Sequence, residues 1–228
     1  MSPAKRKRAG SGAGDGKSPA RRVRLSAAAR REVIESAAAE VFAERGYHGA
    51  SIDEICRRAG VTPPVIYDHF GSKLELHRHL HERTRDELLA VWGEHLMTDE
   101  PAAVRVPRAL DAWARYVQEH PYVARMYFRE PAGDPDAAAV QEEVRGGAQS
   151  LLAAIIAREP GAGEIAGTAD PLAMTMVSEI FRSGLAGLAV WWSDHPEVPR
   201  EQIVTAAVNV LWVGLERVGM GEAWRPSS

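Results

Sequence analysis

The chain has 228 residues, 45% of them hydrophobic and 26% charged, with a formal net charge of -3, the balance of a globular protein with one or two cores. No apolar run reaches the ~20 residues of a membrane span, and the charged N-terminus lacks the apolar stretch of a signal peptide, so a cytoplasmic location without membrane contact is expected. Cys56 is the single cysteine, which excludes an intrachain disulfide; it reads as a small apolar residue on a helix face rather than a redox sensor.

The net charge hides an asymmetry. Residues 1 to 24 carry Lys5, Arg6, Lys7, Arg8, Lys17, Arg21, Arg22 and Arg24 against Asp15 alone, which is +7, so the rest sums to -10. This segment is rich in Gly, Ser, Ala and Pro and has no apolar pattern, which predicts a disordered basic arm. Such an arm, with Arg21, Arg22 and Arg24 nearest the folded part, can follow phosphates or enter a minor groove; the alternative is a solubilising tail.

A first helix is predicted over residues 26 to 45, with Ile34, Ala37, Ala38, Val41 and Phe42 on one face. Gly46 stands where a helix ends in left-handed geometry. Ser51-Ile52-Asp53-Glu54 is a capping box opening a short helix with Ile52, Ile55, Cys56 and Ala59 on its buried side. Ala59-Gly60-Val61-Thr62 is a tight turn, in which Thr62 is expected to cap the next helix and Pro63 to occupy its first position. That helix has about two turns before Gly71, too few to stand alone in water. It exposes Pro64, Val65, Tyr67, Asp68 and His69, a set that suggests contact with a partner. Ser72-Lys73-Leu74-Glu75 is a second capping box, opening a long helix to about Met97. Two short helices across a tight turn make a helix-turn-helix. Residues 25 to 73 hold six basic and seven acidic side chains, with no Lys or Arg between Arg58 and Lys73. A unit of that charge needs the arm if it is to bind phosphates.

Residues 26 to 76 resemble the N-terminal domain of the TetR family of bacterial transcriptional regulators. The matching elements are Phe42, Arg45-Gly46-Tyr47, Ser51-Ile52-Asp53-Glu54-Ile55, Ala59-Gly60-Val61-Thr62, Ile66-Tyr67-Asp68-His69-Phe70 and Ser72-Lys73-Leu74-Glu75-Leu76. The resemblance implies an all-α fold of about nine helices. A helix-turn-helix DNA-binding domain would occupy residues 25 to 73 and a helical ligand-binding and dimerisation domain 74 to 220, with a flexible tail over 221 to 228. It implies no enzyme and no cofactor. The partners it implies are double-stranded DNA carrying a palindromic operator, a second copy of the chain and a small-molecule effector, with half-sites about one turn (roughly 34–36 Å) apart. By position, Thr62, Tyr67 and His69 match residues that hold phosphates, and Ser51 is a further DNA-binding candidate. Lys73 matches a lysine expected to bond a phosphate beside a helix N-terminus. Pro63, Pro64 and Val65 match the helix start that faces base edges, where apolar groups touch thymine methyls. Asp68 departs from the family pattern: it repels phosphates but can accept from cytosine N4.

The remaining helices are punctuated by proline. Pro107 marks a kink or start for a helix to Glu119, Pro121 a short helix to Glu130, Asp134-Pro135 a helix to about Arg158, Asp170-Pro171 one to about Ser193, and Pro199 the last, to about Val218. Gly161 to Gly167 reads as a flexible loop. Trp92, Trp113, Tyr116, Tyr122, Met126, Tyr127, Met174 and Phe181 are candidates for a pocket that takes a small apolar or aromatic effector; the plain alternative is ordinary core. The last two helices are apolar on more than one face, more than a surface helix needs. The resemblance implies that they form a four-helix dimer interface, for which Gly184, Leu188, Trp191, Val204, Val208, Leu211 and Leu215 are the candidates.

His77 and His81 stand four apart on one helix face, a metal-ligand spacing, but residue 85 is Arg and no nearby Cys or Asp completes a site. A solvated polar face or a contact with the N-terminal unit is the expectation for these histidines and His79, and no metal is assigned. The reading is a ligand-responsive, sequence-specific regulator, a repressor released by its effector. The rivals are a non-specific DNA-binding protein using the basic arm and a metal-dependent enzyme using His77 and His81.

Overall fold

The structure, a computed structural model, describes residues 26–129, 134–157 and 171–220. Every regular element among them is helical. The expected arm with Arg21, Arg22 and Arg24, the loop over Gly161 to Gly167 and the tail from 221 lie outside the described residues.

Helix α1 (Ala27–Gly49) starts at Ser26, whose Oγ accepts from Ala29 N at 3.1 Å. It breaks at Gly46, where φ is 66°, a conformation that costs an L-residue free energy and glycine almost none. Helix α2 (Ile52–Ala59) is capped by Ser51 Oγ, which accepts from Glu54 N at 3.2 Å, and ends at Gly60 with φ 66° and ψ 32°. Helix α3 (Pro63–His69) follows. Thr62 precedes it but makes no side-chain cap bond, contrary to expectation: with proline at both of the first two positions, the orphan N–H groups near a cap are fewer. Helix α4 (Lys73–Leu96) opens on Ser72, whose Oγ accepts from Glu75 N at 3.0 Å, while Glu75 Oε2 accepts from Gly71 N at 3.0 Å.

These helices close one core around Ile34, Val41, Phe42, Ile55, Ile66, Phe70 and Leu76, each at most 2% exposed. Met126, distant in sequence, belongs to the same core. A buried charge network rivets α1 to α4. Glu35, 5% exposed, accepts from Arg31 Nε and His79 Nε2, each at 2.8 Å, and from Arg83 Nη1 at 2.5 Å. Such a carboxylate is tolerable in the interior only because every partner is present.

The second core is built by Leu88, Leu110, Trp113, Val117, Val123, Phe181, Leu185, Trp192 and Ile203. Helix α5 (Ala102–Glu119) begins before Pro107, which lies inside it. The proline marks neither end; it only removes one i to i−4 bond. Helix α6 (Pro121–Val123) runs into a π-helical turn (Ala124–Phe128). Helix α7 (Pro135–Ala157) is capped by Asp134, whose Oδ1 accepts from Asp136 N and Ala137 N, both at 3.0 Å. Helix α8 (Pro171–Ser193) follows. The last expected helix is interrupted: α9 (Arg200–Ala207) passes through a second π-helical turn (Val208–Trp212) into α10 (Val213–Gly219). Helix α4 is the spine. Its first turns supply Leu76 and Leu80 to the first core, Leu88 further along joins the second, and the helix packs on α5 and α7.

Candidate functional site

The face of α3 divides as the helical period dictates. Ile66 is fully buried and Phe70 nearly so, anchoring the short helix. Thr62, Pro64, Tyr67 and Asp68 are exposed, while Pro63, Val65 and His69 are half-buried. Val65 packs against the core, so less of it is open to a partner than expected. Tyr67 is the large side chain that projects, 50% exposed. The hydroxyl of Ser51 is engaged in its cap, which commits one of its lone pairs.

Lys73 requires a correction. Its ammonium donates to Tyr47 O at 2.8 Å and Ala50 O at 3.1 Å and lies 4.2 Å from the centre of the Tyr47 ring. Two of its three N–H groups thus hold the turn between α1 and α2, and only the third remains for a phosphate. The bonds to the turn are not legible in the sequence, because Tyr47 and Ala50 lie more than twenty residues upstream.

The arginines of this domain are largely neutralised. Arg58 pairs with Glu44, Glu40 and Glu54, and Arg45 with Glu54 at 3.0 Å. Arg57 approaches Glu54 at 3.6 Å but keeps 74% of its side chain exposed. Arg57 and Arg45, both paired with Glu54 of α2 yet more than half exposed, are cations of this unit that the sequence reading did not select, although an exposed Arg in the last turn of the helix before a helix-turn-helix turn was a readable signal. Cys56 is buried and its thiol is pushed up by burial, as an inert apolar filler requires.

The second site is a cavity of about 90 Å³ between α4, α5, α7, α8 and the first π-helical turn. Of the eight expected residues, Trp92, Trp113, Tyr127 and Phe181 line it. Tyr116 instead donates its hydroxyl to Glu87 Oε2 at 2.6 Å, and burial, then that carboxylate, push its phenol far up. Tyr122 lines a separate groove against α1, Met126 belongs to the first core, and Met174 lies outside the lining. Sequence reasoning missed Leu88, Leu89, Leu185, Phe128, Gln141 and three arginines, Arg85, Arg145 and Arg182. The spacing Arg85-Leu88-Leu89-Trp92 on α4 and Phe181-Arg182-Leu185 on α8 was the available signal. Each arginine has an acidic neighbour: Asp86 at 2.8 Å, Glu142 at 3.2 Å and Glu179. Burial pushes the Tyr127 phenol up to about 12, and Arg85, Arg182 and Arg145 pull it the other way.

His77 and His81 are not solvated, as one of the expected readings had it. They are 3% and 0% exposed, and their Nε2 atoms stand 3.1 Å apart, so one ring donates and the other accepts. His77 packs edge-on against Phe42 and Tyr47, and His81 lies 5.5 Å from the Tyr127 ring. No cluster of three or more metal-ligating side chains occurs among the described residues.

The expected dimer residues also need revision. Leu188, Val204, Val208 and Leu211 pack against the second core of their own chain. A Cβ at Gly184 would stand 3.1 Å from Leu211 Cδ2, so this glycine admits α10's neighbouring turn within the protomer. The side chain of Leu215 lies outside the described residues. Trp191 is 46% exposed and shares one side of α8 with Met176 at 57% and Ile180 at 62%, an apolar stripe that the sequence pattern did not separate from the core stripe; Val210, in the second π-helical turn, is 75% exposed. No helix among the described residues is long and apolar enough to cross a membrane.

Residues 34–80 match the family model described as bacterial regulatory proteins, tetR family. The chain is 30% identical over 196 residues to the HTH-type transcriptional activator FasR of Mycolicibacterium smegmatis, covering 86% of this chain and 87% of that one. It is 43% identical over 65 residues to the HTH-type transcriptional repressor BepR of Brucella suis, covering 28% of this chain and 31% of that one. Among solved structures, FadR of Bacillus subtilis in complex with stearoyl-CoA matches with a TM-score of 0.65 at 19% identity, over 84% of this chain and 98% of that one.

Proposed function

The chain belongs to the TetR family of bacterial regulatory proteins, a DNA-binding transcription regulator, and we propose that it acts as a homodimer whose operator binding is set by an anionic, long-chain effector. The observation that carries this reading is the composition of the cavity wall: leucines, tryptophans and phenylalanines close to Arg85, Arg145 and Arg182. Apolar side chains offer a place for a hydrocarbon chain, and guanidinium forks suit a carboxylate or phosphate head. The stearoyl-CoA held by the Bacillus subtilis neighbour is a compound of this class. At about 90 Å³ the cavity is well below the roughly 300–1,000 Å³ of an occupied ligand site. Filling it must therefore move its walls, and α4 is one of them. That motion favours release of the operator on effector binding, the action of a repressor. The first-noted relative carries the name activator, so the sign of regulation is part of the test.

For the dimer, the support is the exposed apolar stripe of Met176, Ile180 and Trp191, and exposed Val210, because apolar patches of this kind mark association surfaces. The test is selection of bound fragments from genomic DNA with the purified protein, followed by titration of the recovered operator with stearoyl-CoA. A palindromic site whose affinity falls at least about ten-fold with saturating stearoyl-CoA is expected. Sequence-independent binding would support the non-specific alternative. An affinity that rises would reverse the sign of the coupling between effector and operator, and one untouched by any acyl thioester would remove the effector assignment.

A further inference from the structure

Three buried polar atoms cluster where the two cores meet. His77 Nδ1, His81 Nδ1 and Gln141 Oε1 have no hydrogen-bond partner. Interiors rarely leave such groups unpaired, and those that do point to strain or function. Gln141 is the informative one. Its Nε2 donates to Tyr127 O at 2.9 Å and Arg129 O at 3.0 Å. Two carbonyl acceptors on one side fix the orientation of the amide, since the flipped form would set oxygen against oxygen. Gln141 therefore caps the C-terminal end of the π-helical turn Ala124–Phe128, where carbonyls are otherwise orphaned.

That turn joins the two cores. Met126 is buried in the core of the DNA-binding domain, whereas Val123 and Ala124 belong to the second core. The next residue, Tyr127, lines the arginine-ringed cavity and packs against both cores. The turn packs on α1 on one side and α8 on the other. Gln141 itself lines that cavity and also a second, polar one of about 280 Å³ bounded by Phe42, Gly46, Tyr47, His77 and Met126 at the junction with the DNA-binding domain. His81 lies against Tyr127 on one side and His77 on the other, and His77 touches Phe42 and Tyr47. Single π-helical turns inserted in helices often stand at functional positions, because their extra residue leaves the ladder with an alternative register.

We propose that Gln141 is the positioning residue through which occupancy of the cavity is relayed to the DNA-binding domain: it holds the π-helical turn in the register that seats Met126 in the α1 core, and displacement of Gln141 by a ligand lets that turn shift. Gln141 touches no DNA, and its effect on the operator passes through Met126 and α1. The effector side of the proposal rests on the cavity reading above, but the mechanical link between Gln141 and α1 does not.

The experiment uses the full-length protein and the variant Gln141→Met, which keeps the side chain's length and removes both hydrogen bonds. Amide hydrogen exchange is mapped without effector. Exchange should rise at least about five-fold both in Ala124–Phe128 and in residues 42–49 of α1, because the two form one opening unit. A rise confined to the turn, with α1 exchanging as in wild type, overturns the link and leaves a local cap. Gln141→Ala is the second variant; it removes the same two hydrogen bonds with a smaller side chain, so it should reproduce the same two-part map if Gln141→Met does not fold. In a second arm stearoyl-CoA is titrated with and without operator. In Gln141→Met the effect of saturating stearoyl-CoA on operator affinity, a ratio that does not depend on how tightly the free protein holds the effector, should shrink about ten-fold, since coupling is lost. An undiminished effect overturns the proposal. Failure of stearoyl-CoA to bind the wild-type protein removes the effector reading alone, and the exchange map still decides the link.

Discussion

Replacing Lys73 by Met keeps the aliphatic stem and removes the charge. In wild type the ammonium holds Tyr47 O at 2.8 Å and Ala50 O at 3.1 Å and lies 4.2 Å from the Tyr47 ring centre. Hydrogen bonds from a charged donor contribute about 1.5–3 kcal/mol each and a half-exposed cation–π contact about 1 kcal/mol. Lys73 is only part-buried, so water can replace some of the lost bonding, and the net loss should be about 2–3 kcal/mol. The Tyr47 turn also orients α2 and hence α3, so operator affinity should fall even before any phosphate contact is counted. The assay pairs denaturant unfolding at one fixed protomer concentration with operator titration at several salt concentrations. A stability loss below about 0.5 kcal/mol, within the range of ordinary surface substitutions, would refute the clamp. If affinity and salt slope then fell together, Lys73 would be the plain phosphate contact that its position in the sequence suggests.

Burial holds His77 down at about 4 and His81 at about 3, from the ordinary 6.5. Between pH 6.5 and about 4 the unfolded chain takes up protons that the folded chain refuses, so stability is full above 6.5 and falls as the pH drops; unfolding midpoints at pH 7 and 5 should differ in that sense, and replacing both histidines by Gln should remove most of the difference. Ile180→Arg and Val210→Arg alter exposed positions, so each should leave a folded protomer that no longer dimerises, whereas Leu211→Arg should unfold the chain by burying a charge; light scattering with circular dichroism separates the two outcomes, and an intact Ile180→Arg dimer would move the interface elsewhere. Deleting residues 1 to 24 removes +7 of charge and should flatten the salt dependence of operator binding by at least about one unit of log–log slope, with the preferred sequence unchanged; equal slopes for the two proteins would make the arm a tail.

The local signals in this chain were strong where the physics is local. Ser51, Ser72 and Asp134 cap the helices they precede, and Gly46 and Gly60 turn left-handed where the helices stop, because capping and positive φ depend on a few adjacent residues. The buried faces of α1 and α2 were legible for the same reason, as was the assignment to a family through closely spaced motifs. What the sequence alone left open needed partners from far along the chain. Lys73 was read as a phosphate ligand until Tyr47 and Ala50 came within reach of its ammonium. For His77 and His81 the sequence leaves open a solvated face or a contact with the N-terminal unit, and only packing against Phe42 and Tyr47 on one side and Tyr127 on the other decides for the second. The stripes on the last two long helices could not be sorted by periodicity, since core and association faces are equally apolar; only packing put Leu211 against Gly184 and left Ile180 and Val210 outside. Met126 seemed to belong to a ligand pocket and instead fills the core of the DNA-binding domain, because a π-helical turn redirects successive side chains in a way that no 3.6-residue pattern encodes.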